Sequence, residues 1–224
     1  MVVISVNGND YKVKTSWDEV TAKEAIRVSK IEVPHSILTG EVTKADQIKN
    51  LPAYYGKVLE VLSNIPSDVI DKIQWSERTV FFNEYLKHFI VDLASMPDNI
   101  KPIEKFEFKG KTYYLPKNKT LGDNKIPYFF MDTMTFTESA NFTMVAEDLK
   151  TGINDNFLIV IATLAKEKDE IYTEENTVNK SILFQDLPMS IVWGVFFCII
   201  QRCNEFANSI TSHLKKQLEK EIAS

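Results

Sequence analysis

The chain has 224 residues, 44% of them hydrophobic and 25% charged. This is enough for one large domain or two of about 100 residues each with a sufficient core. The formal net charge of −5 and the even spread of lysines argue against specific nucleic-acid binding. The longest apolar run, Ile191 to Ile200, is too short to span a bilayer, and the N-terminus does not resemble a signal peptide. We therefore expect a protein made in the cytoplasm, without a membrane partner.

The N-terminal stretch ISVNGNDYKV, from Ile4 to Val13, predicts a β-hairpin. Apolar and polar residues alternate on either side of Asn7-Gly8, and Asn-Gly is the strongest short signal for a two-residue hairpin turn. A helix should follow, because Thr21 and Glu24 have the spacing of a capping box in front of apolar residues.

Helical periodicity continues from Leu51 to Leu93, where apolar residues form successive stripes. The stretch from Ser95 to Pro102 then contains two prolines and turn-forming residues, which makes it the best candidate boundary. We predict an N-terminal unit at residues 1–97 and a C-terminal unit at residues 98–224.

The second unit repeats the order of the first. FEFKGKTYYL, from Phe106 to Leu115, aligns with the first hairpin at an offset of 102, which matches Gly110 with Gly8. A second capping box, Thr135 to Glu138, matches the first at an offset of 114. The predicted fold class is α+β and mainly helical, with two related β-hairpin-plus-helices units that indicate a tandem duplication.

The C-terminal region predicts an extended helix with two different parts. From Ile191 to Ile200 it is apolar nearly all round, which is typical of a buried helix. From Gln201 to Ala223 it is charged, with an apolar residue at every fourth position, a narrow stripe suited to a partner surface. The candidate partner-binding residues are Trp193, Phe197, Phe206, Ile210, Leu214 and Leu218. For Trp193 and Phe197, packing in the core is the alternative role.

Sequence motifs for catalysis are missing. There is no glycine-rich phosphate loop and no nucleophile motif, and His35, His88 and His213 are scattered. Cys198 and Cys203 are too far apart on one helix for a disulfide, so we expect both to pack in the core. The acidic pairs Asp169-Glu170 and Glu174-Glu175 lie in a polar connector and are expected to be solvated. We predict no catalytic residue, no metal site and no cofactor.

An enzyme of an unrecognised type remains one alternative. It would need a pocket in which at least two residues with suitable side chains converge. The candidates are His88, Glu138, Asp132, Tyr113 and Tyr11.

The order FEFKGKTYYLP, a Thr-x-x-Glu helix and then LFQDLPMSIVWGVFFCII resembles small tail-assembly proteins of bacteriophages infecting Bacteroidetes-type hosts. These include tail assembly chaperones, baseplate-hub assembly proteins and the ring-forming neck and tail proteins of crAss-like phages. The likeness covers mostly Phe106 to Cys203, with a fainter copy at Ile4 to Ala25. It implies a non-enzymatic protein of the tail or head-tail connector that forms a ring in the virion. Its partners would be copies of itself and other phage tail or portal proteins.

Two further functions stay open. A tail assembly chaperone would bind a tape-measure or hub protein and be absent from the mature virion. A cellular adaptor would receive a partner peptide in an exposed groove beside Trp193, on the apolar helix from Ile191 to Ile200.

Overall fold

The computed structural model describes residues 1–95, 97, 100–121, 126–128, 134, 135, 137–140 and 153–223. Over these residues the protein is mainly helical with small antiparallel hairpins, which confirms the predicted α+β class. The chain forms two compact units. The first comprises residues 1–98, 151–155 and 185–190, and the second comprises residues 99–150, 156–184 and 191–224. The division near residue 98 lies in the proline-containing stretch, but the first unit also takes two short segments from the later half of the chain.

The first unit begins with a hairpin and continues with helices. Its elements are β1 (Val2–Val6), β2 (Asn9–Val13), α1 (Ala22–Ser29), α2 (His35–Thr39), a π-helical segment (Asp46–Asn50), α3 (Leu51–Leu62), α4 (Ser67–Ile70), α5 (Trp75–Phe81), a second π-helical segment (Phe82–Leu86) and α6 (Lys87–Ser95).

The second unit has the same order, with an extra hairpin. Its elements are β3 (Lys105–Phe108), β4 (Lys111–Tyr114), β5 (Lys119–Leu121), β6 (Ile126–Tyr128), a helical turn at 137–140 (α7), α8 (Asp155–Leu164), α9 (Glu174–Leu183), a 3-10 turn (Phe184–Asp186) and α10 (Met189–Ala223). By the division given above, Asp155 of α8, Gln185 and Asp186 of the 3-10 turn and the first two residues of α10 belong to the first unit.

The turn between β1 and β2 and the turn between β3 and β4 have the same backbone conformation. Asn7 and Gly8 have φ of 53° and 80°, and Lys109 and Gly110 have φ of 46° and 79°. Positive φ at both central positions is what a primed two-residue turn requires. The register is also the same, because Ile4 pairs with Tyr11 and Phe106 pairs with Tyr113 at the offset of 102.

Each hairpin is extended by the chain that follows a helix. The backbone N–H of Asn64 donates to the carbonyl of Lys12 at 3.3 Å, just after α3. The N–H of Lys166 donates to the carbonyl of Tyr114 at 3.0 Å, just after α8. Since both pairs are related by an offset of 102, the repeat includes the ends of α3 and α8 as well as the hairpins.

Both capping boxes form. In α1 the Glu24 carboxylate accepts from the N–H of Thr21 at 2.9 Å, and the Glu24 N–H donates to the Thr21 hydroxyl oxygen at 3.4 Å. In α7 the same two bonds join Thr135 and Glu138, at 3.3 and 3.2 Å. The box satisfies amide groups that a helix start leaves without partners.

The equivalence extends into the later helices. Tyr55 of α3 stacks on Phe82, with ring centroids 4.0 Å apart, and Phe157 of α8 contacts Phe196 of α10 at 4.9 Å. Tyr55 corresponds to Phe157 at an offset of 102, and Phe82 corresponds to Phe196 at an offset of 114. These are the two offsets that relate the hairpins and the capping boxes. The helix α5 with its continuation is therefore the counterpart of the first half of α10.

The second hairpin turn gives a test of the fold. Replacing Gly110 by Ala should lower the free energy of unfolding by about 1 kcal/mol, because an L-residue is strained at this positive φ. An added Cβ would meet no neighbouring atom, so the cost comes from the backbone alone. Lys109→Asn, which restores the Asn-Gly pair, should leave the urea midpoint unchanged or raise it. Equal midpoints for Gly110→Ala and the wild type would contradict the turn assignment.

Candidate functional site

The predicted partner-binding residues fall into three classes of exposure. Trp193 is only 2% exposed, with its ring 6.0 Å from that of Phe157 and 6.1 Å from that of Phe197. This burial contradicts the expectation that Trp193 faces a partner, because the apolar half of α10 packs in the second unit. The adaptor hypothesis required an exposed groove beside Trp193, so it is wrong in that form.

The other predicted residues lie further along α10. Phe197, Phe206 and Ile210 are half-buried. Leu214 and Leu218 are 52% and 58% exposed, one helical turn apart near the end of the helix. The stripe therefore passes from partly covered to open towards the C-terminus, and its open end is the part of the prediction that remains available to a partner.

A cleft of about 620 Å³ lies in the second unit. It has a mixed lining of apolar side chains and charged groups, contributed by the hairpin strand β4, the residues before and in α7, and the chain after α8. The lining residues are Tyr114, Leu115, Pro116, Met134, Glu138, Leu164, Lys166, Glu167 and Lys168.

The buried charge in this cleft belongs to the second capping box. Glu138 is 2% exposed, and its Oε1 lies 2.5 Å from Lys166 Nζ, although the two groups are not oriented as in a regular hydrogen bond. In the first unit the corresponding Glu24 pairs with Lys14 at 2.7 Å. The equivalent of Lys14 is Pro116, so the second unit supplies its cation from Lys166, on the segment that pairs with the end of β4. The capping box therefore accounts for the ion pair between Glu138 and Lys166, and no catalytic role is needed to explain it.

A second buried ion pair was not anticipated from the sequence. Lys180 of α9 contacts Glu170 at 2.6 Å and donates to the carbonyl of Ala165 at 2.9 Å. Burial lowers the pKa of the Lys180 ammonium, and the Glu170 carboxylate opposes that shift. The expectation that Glu170 lies in a solvated connector is therefore wrong. The pair fixes the residues after α8, which form one wall of the cleft.

The residues proposed for an unrecognised enzyme are not brought together in the described parts of the chain. Glu138 lines the cleft, whereas Tyr113 is fully buried against Phe106 and Phe184. Tyr11 pairs with Ile4 in the first hairpin. His88 is exposed and its ring lies 4.1 Å from that of Phe89, and Asp132 lies outside the described residues. Of the candidates that the structure describes, Glu138 is thus the one that lines the cleft.

Over the same described residues, no group of three or more His, Cys, Asp or Glu side chains has the arrangement to hold a metal ion. Cys198 is buried and Cys203 half-buried, and burial raises the pKa of both thiols. Of the helices that are described, none combines the length and the apolar character needed to cross a bilayer.

No family model, curated protein or solved structure matches the chain. The residues of the site are therefore interpreted by comparison with the equivalent residues in the first repeat of the same chain.

The structural role assigned to Glu138 is testable. Glu138→Ala should lower the free energy of unfolding by about 1–2 kcal/mol, because it removes a helix cap and leaves the Lys166 ammonium without its partner. Glu138→Gln keeps an acceptor for the Thr135 N–H and should cost less. Glu24→Ala in the first unit is the matched control and should have a comparable effect in urea denaturation. No loss of stability on Glu138→Ala would contradict this role.

The raised pKa values of the thiols predict low reactivity. At about pH 8 both cysteines should react slowly with a disulfide reagent in the native protein, because little thiolate is present. Reaction should accelerate as the pH is raised and become fast in urea, as followed by absorbance of the released thiol. Rapid labelling of two thiols under native conditions would contradict this assignment.

Proposed function

We propose that the chain is a non-enzymatic structural or assembly protein of a bacteriophage tail or head-tail connector. It acts by protein-protein contacts and assembles with copies of itself into a ring in the virion. The resemblance of its second half to phage tail-assembly proteins supports the class. The exposed end of α10 supports the mode of action.

The observation that carries the proposal is the stripe on α10. Two large aliphatic side chains, Leu214 and Leu218, are more than half exposed on the same face of a 35-residue helix. Fully burying an exposed leucine side chain contributes about 1.5–3 kcal/mol, so covering these two half-exposed side chains favours contact with a neighbour without accounting for it alone. The stripe continues the half-buried Phe206 and Ile210, which makes it the extension of an existing packing surface.

A second copy of the chain is the occupant that we assign to this surface. The turns around the leucines carry Lys215 and Lys216 and then Glu219, so both signs of charge are available to a neighbour of the same sequence. In a ring every subunit offers the same two surfaces, and each contact closes against the next copy. The assembly chaperone is the alternative, in which a tail protein takes the place of the second copy.

Two measurements test the proposal together. Mass spectrometry of purified virions should detect the chain, and the purified protein should form an oligomer of fixed mass. A protein that is monomeric at every concentration and absent from particles would overturn the structural function. A soluble complex with a tape-measure or hub protein would instead support the chaperone.

The stripe itself should be sensitive to charge. The double variant Leu214→Asp/Leu218→Asp should weaken self-association by at least about 100-fold, since each tenfold corresponds to about 1.4 kcal/mol. Ile171→Asp is the matched control, because this side chain is 81% exposed but lies away from α10 in sequence. Sedimentation velocity would report both. Unchanged association of the double variant would exclude the stripe from the interface.

A further inference from the structure

One segment of the chain pairs with the cap of α1 in the first unit. We call Leu187–Ser190 the second pre-helix segment, because it leads into α10 in the later of the two repeats. The N–H of Ala22 donates to the carbonyl of Leu187 at 2.8 Å, and the N–H of Met189 donates to that of Val20 at 2.7 Å. The side chains of Leu187 and Met189 are fully buried. This short antiparallel pairing, which also includes a bridge between Thr21 and Pro188, satisfies amides at the start of α10.

The first repeat contains the counterpart of this segment. Ile73–Ser76, the first pre-helix segment, leads into α5 and corresponds to Leu187–Ser190 at the offset of 114. Ser76 matches Ser190, and the buried Ile73 matches Leu187. The helices that follow occupy equivalent positions, as the ring pairs of Phe82 and Phe196 show.

In the first pre-helix segment, some side-chain and backbone groups lack the contacts that the equivalent groups of Leu187–Ser190 make. Trp75 is 42% exposed, whereas the equivalent Met189 is fully buried. Among the described residues, neither the N–H of Trp75 nor that of Ser76 has an acceptor, while Met189 and Ser190 donate to Val20 and Trp17. The carbonyl of Ile73 accepts from Arg78 Nε at 3.0 Å and retains a second lone pair.

The second repeat contains the matching cap. Met134 corresponds to Val20, and Thr135 to Thr21. Met134 and Glu138 line the cleft of about 620 Å³, beside Leu115 and Leu164. Over the described residues, no chain segment pairs with the backbone of Met134, whereas Val20 is paired in the first unit. Within the described part of the chain, Ile73–Ser76 and the backbone at Met134, which opens on the cleft, are therefore the two members of this pairing that lack a partner segment.

We propose that the first pre-helix segment of one copy pairs with the cap at Met134 and Thr135 of a second copy, with the Trp75 side chain entering the cleft. The contact repeats between chains what Leu187–Ser190 does within one chain. It rests on the proposed function, because it requires self-assembly. The two partners are different surfaces of the same molecule, so the contact is heterologous and propagates around a ring.

Tryptophan fluorescence follows this contact directly. The chain has three tryptophans, and Trp17 and Trp193 are buried, so Trp75 is the exposed one. Quenching by acrylamide should fall and the emission should shift to shorter wavelength as the protein assembles. Trp75→Phe should remove this change while leaving assembly in place. Unchanged quenching in the assembled wild type would overturn the inference.

Complementary variants give the sharper test. Trp75→Asp disrupts the first pre-helix segment and leaves the cap at Met134 and Thr135 intact. Met134→Asp disrupts that cap and leaves the segment intact. Each alone should lose association by at least about 30-fold, the effect of a hot-spot residue. An equimolar mixture should recover one contact and form a dimer. Ile171→Asp is again the control and should assemble as the wild type does.

The outcomes separate this inference from the proposed function. If the wild type assembles and both variants assemble equally well, the inference is overturned and the proposed function stands. A mixture that remains monomeric also overturns the inference, and a wild type that is monomeric at every concentration and absent from particles overturns both. Should Met134→Asp fail to fold, oxidation of Trp75→Cys mixed with Met134→Cys replaces it. A disulfide between the two copies supports the contact, and its absence excludes it.

Discussion

Backbone pairing between a hairpin and the end of a helix is the interaction on which each unit depends. A two-stranded hairpin is marginal in water by itself, so it needs a further partner. Asn64 supplies that partner in the first unit and Lys166 in the second, each at the residue pair set by the same offset. Because the pairing fixes where α3 and α8 end, it also positions the buried faces that each hairpin covers.

The sequence predicted the parts of the fold that depend on local rules. Turn residues with positive φ, alternation in the strands and two capping boxes are encoded within a few positions, and all of them are found. The offset of 102 between the hairpins proved to hold for α3 and α8 as well. Local signals were therefore sufficient for the two repeated hairpins, the two capping boxes and the repeat, but not for the extra hairpin of β5 and β6.

Features that depend on distant residues were not predictable in this way. Trp193 lies in a helix whose apolar character fits both a core and a groove, and only its contact with Phe157 decides between them. Glu170 looked solvated because its partner, Lys180, is ten positions away on another element. The insertion of Leu187–Ser190 into the first unit has no local signature at all. In each case tertiary pairing determines the outcome.

The differences between the two repeats are as informative as their likeness. Lys14 pairs with Glu24 of the first capping box, and Pro116 at the equivalent place has no charge, so Glu138 pairs instead with Lys166 on the segment beside β4. A duplicated unit that pairs with its neighbour along the chain always leaves one donor and one acceptor surface at its two ends. A chain of two such repeats can bury those surfaces only by closing on itself or by meeting another copy. The exposure of Trp75 favours contact with another copy of the chain, and this connects the duplication with assembly.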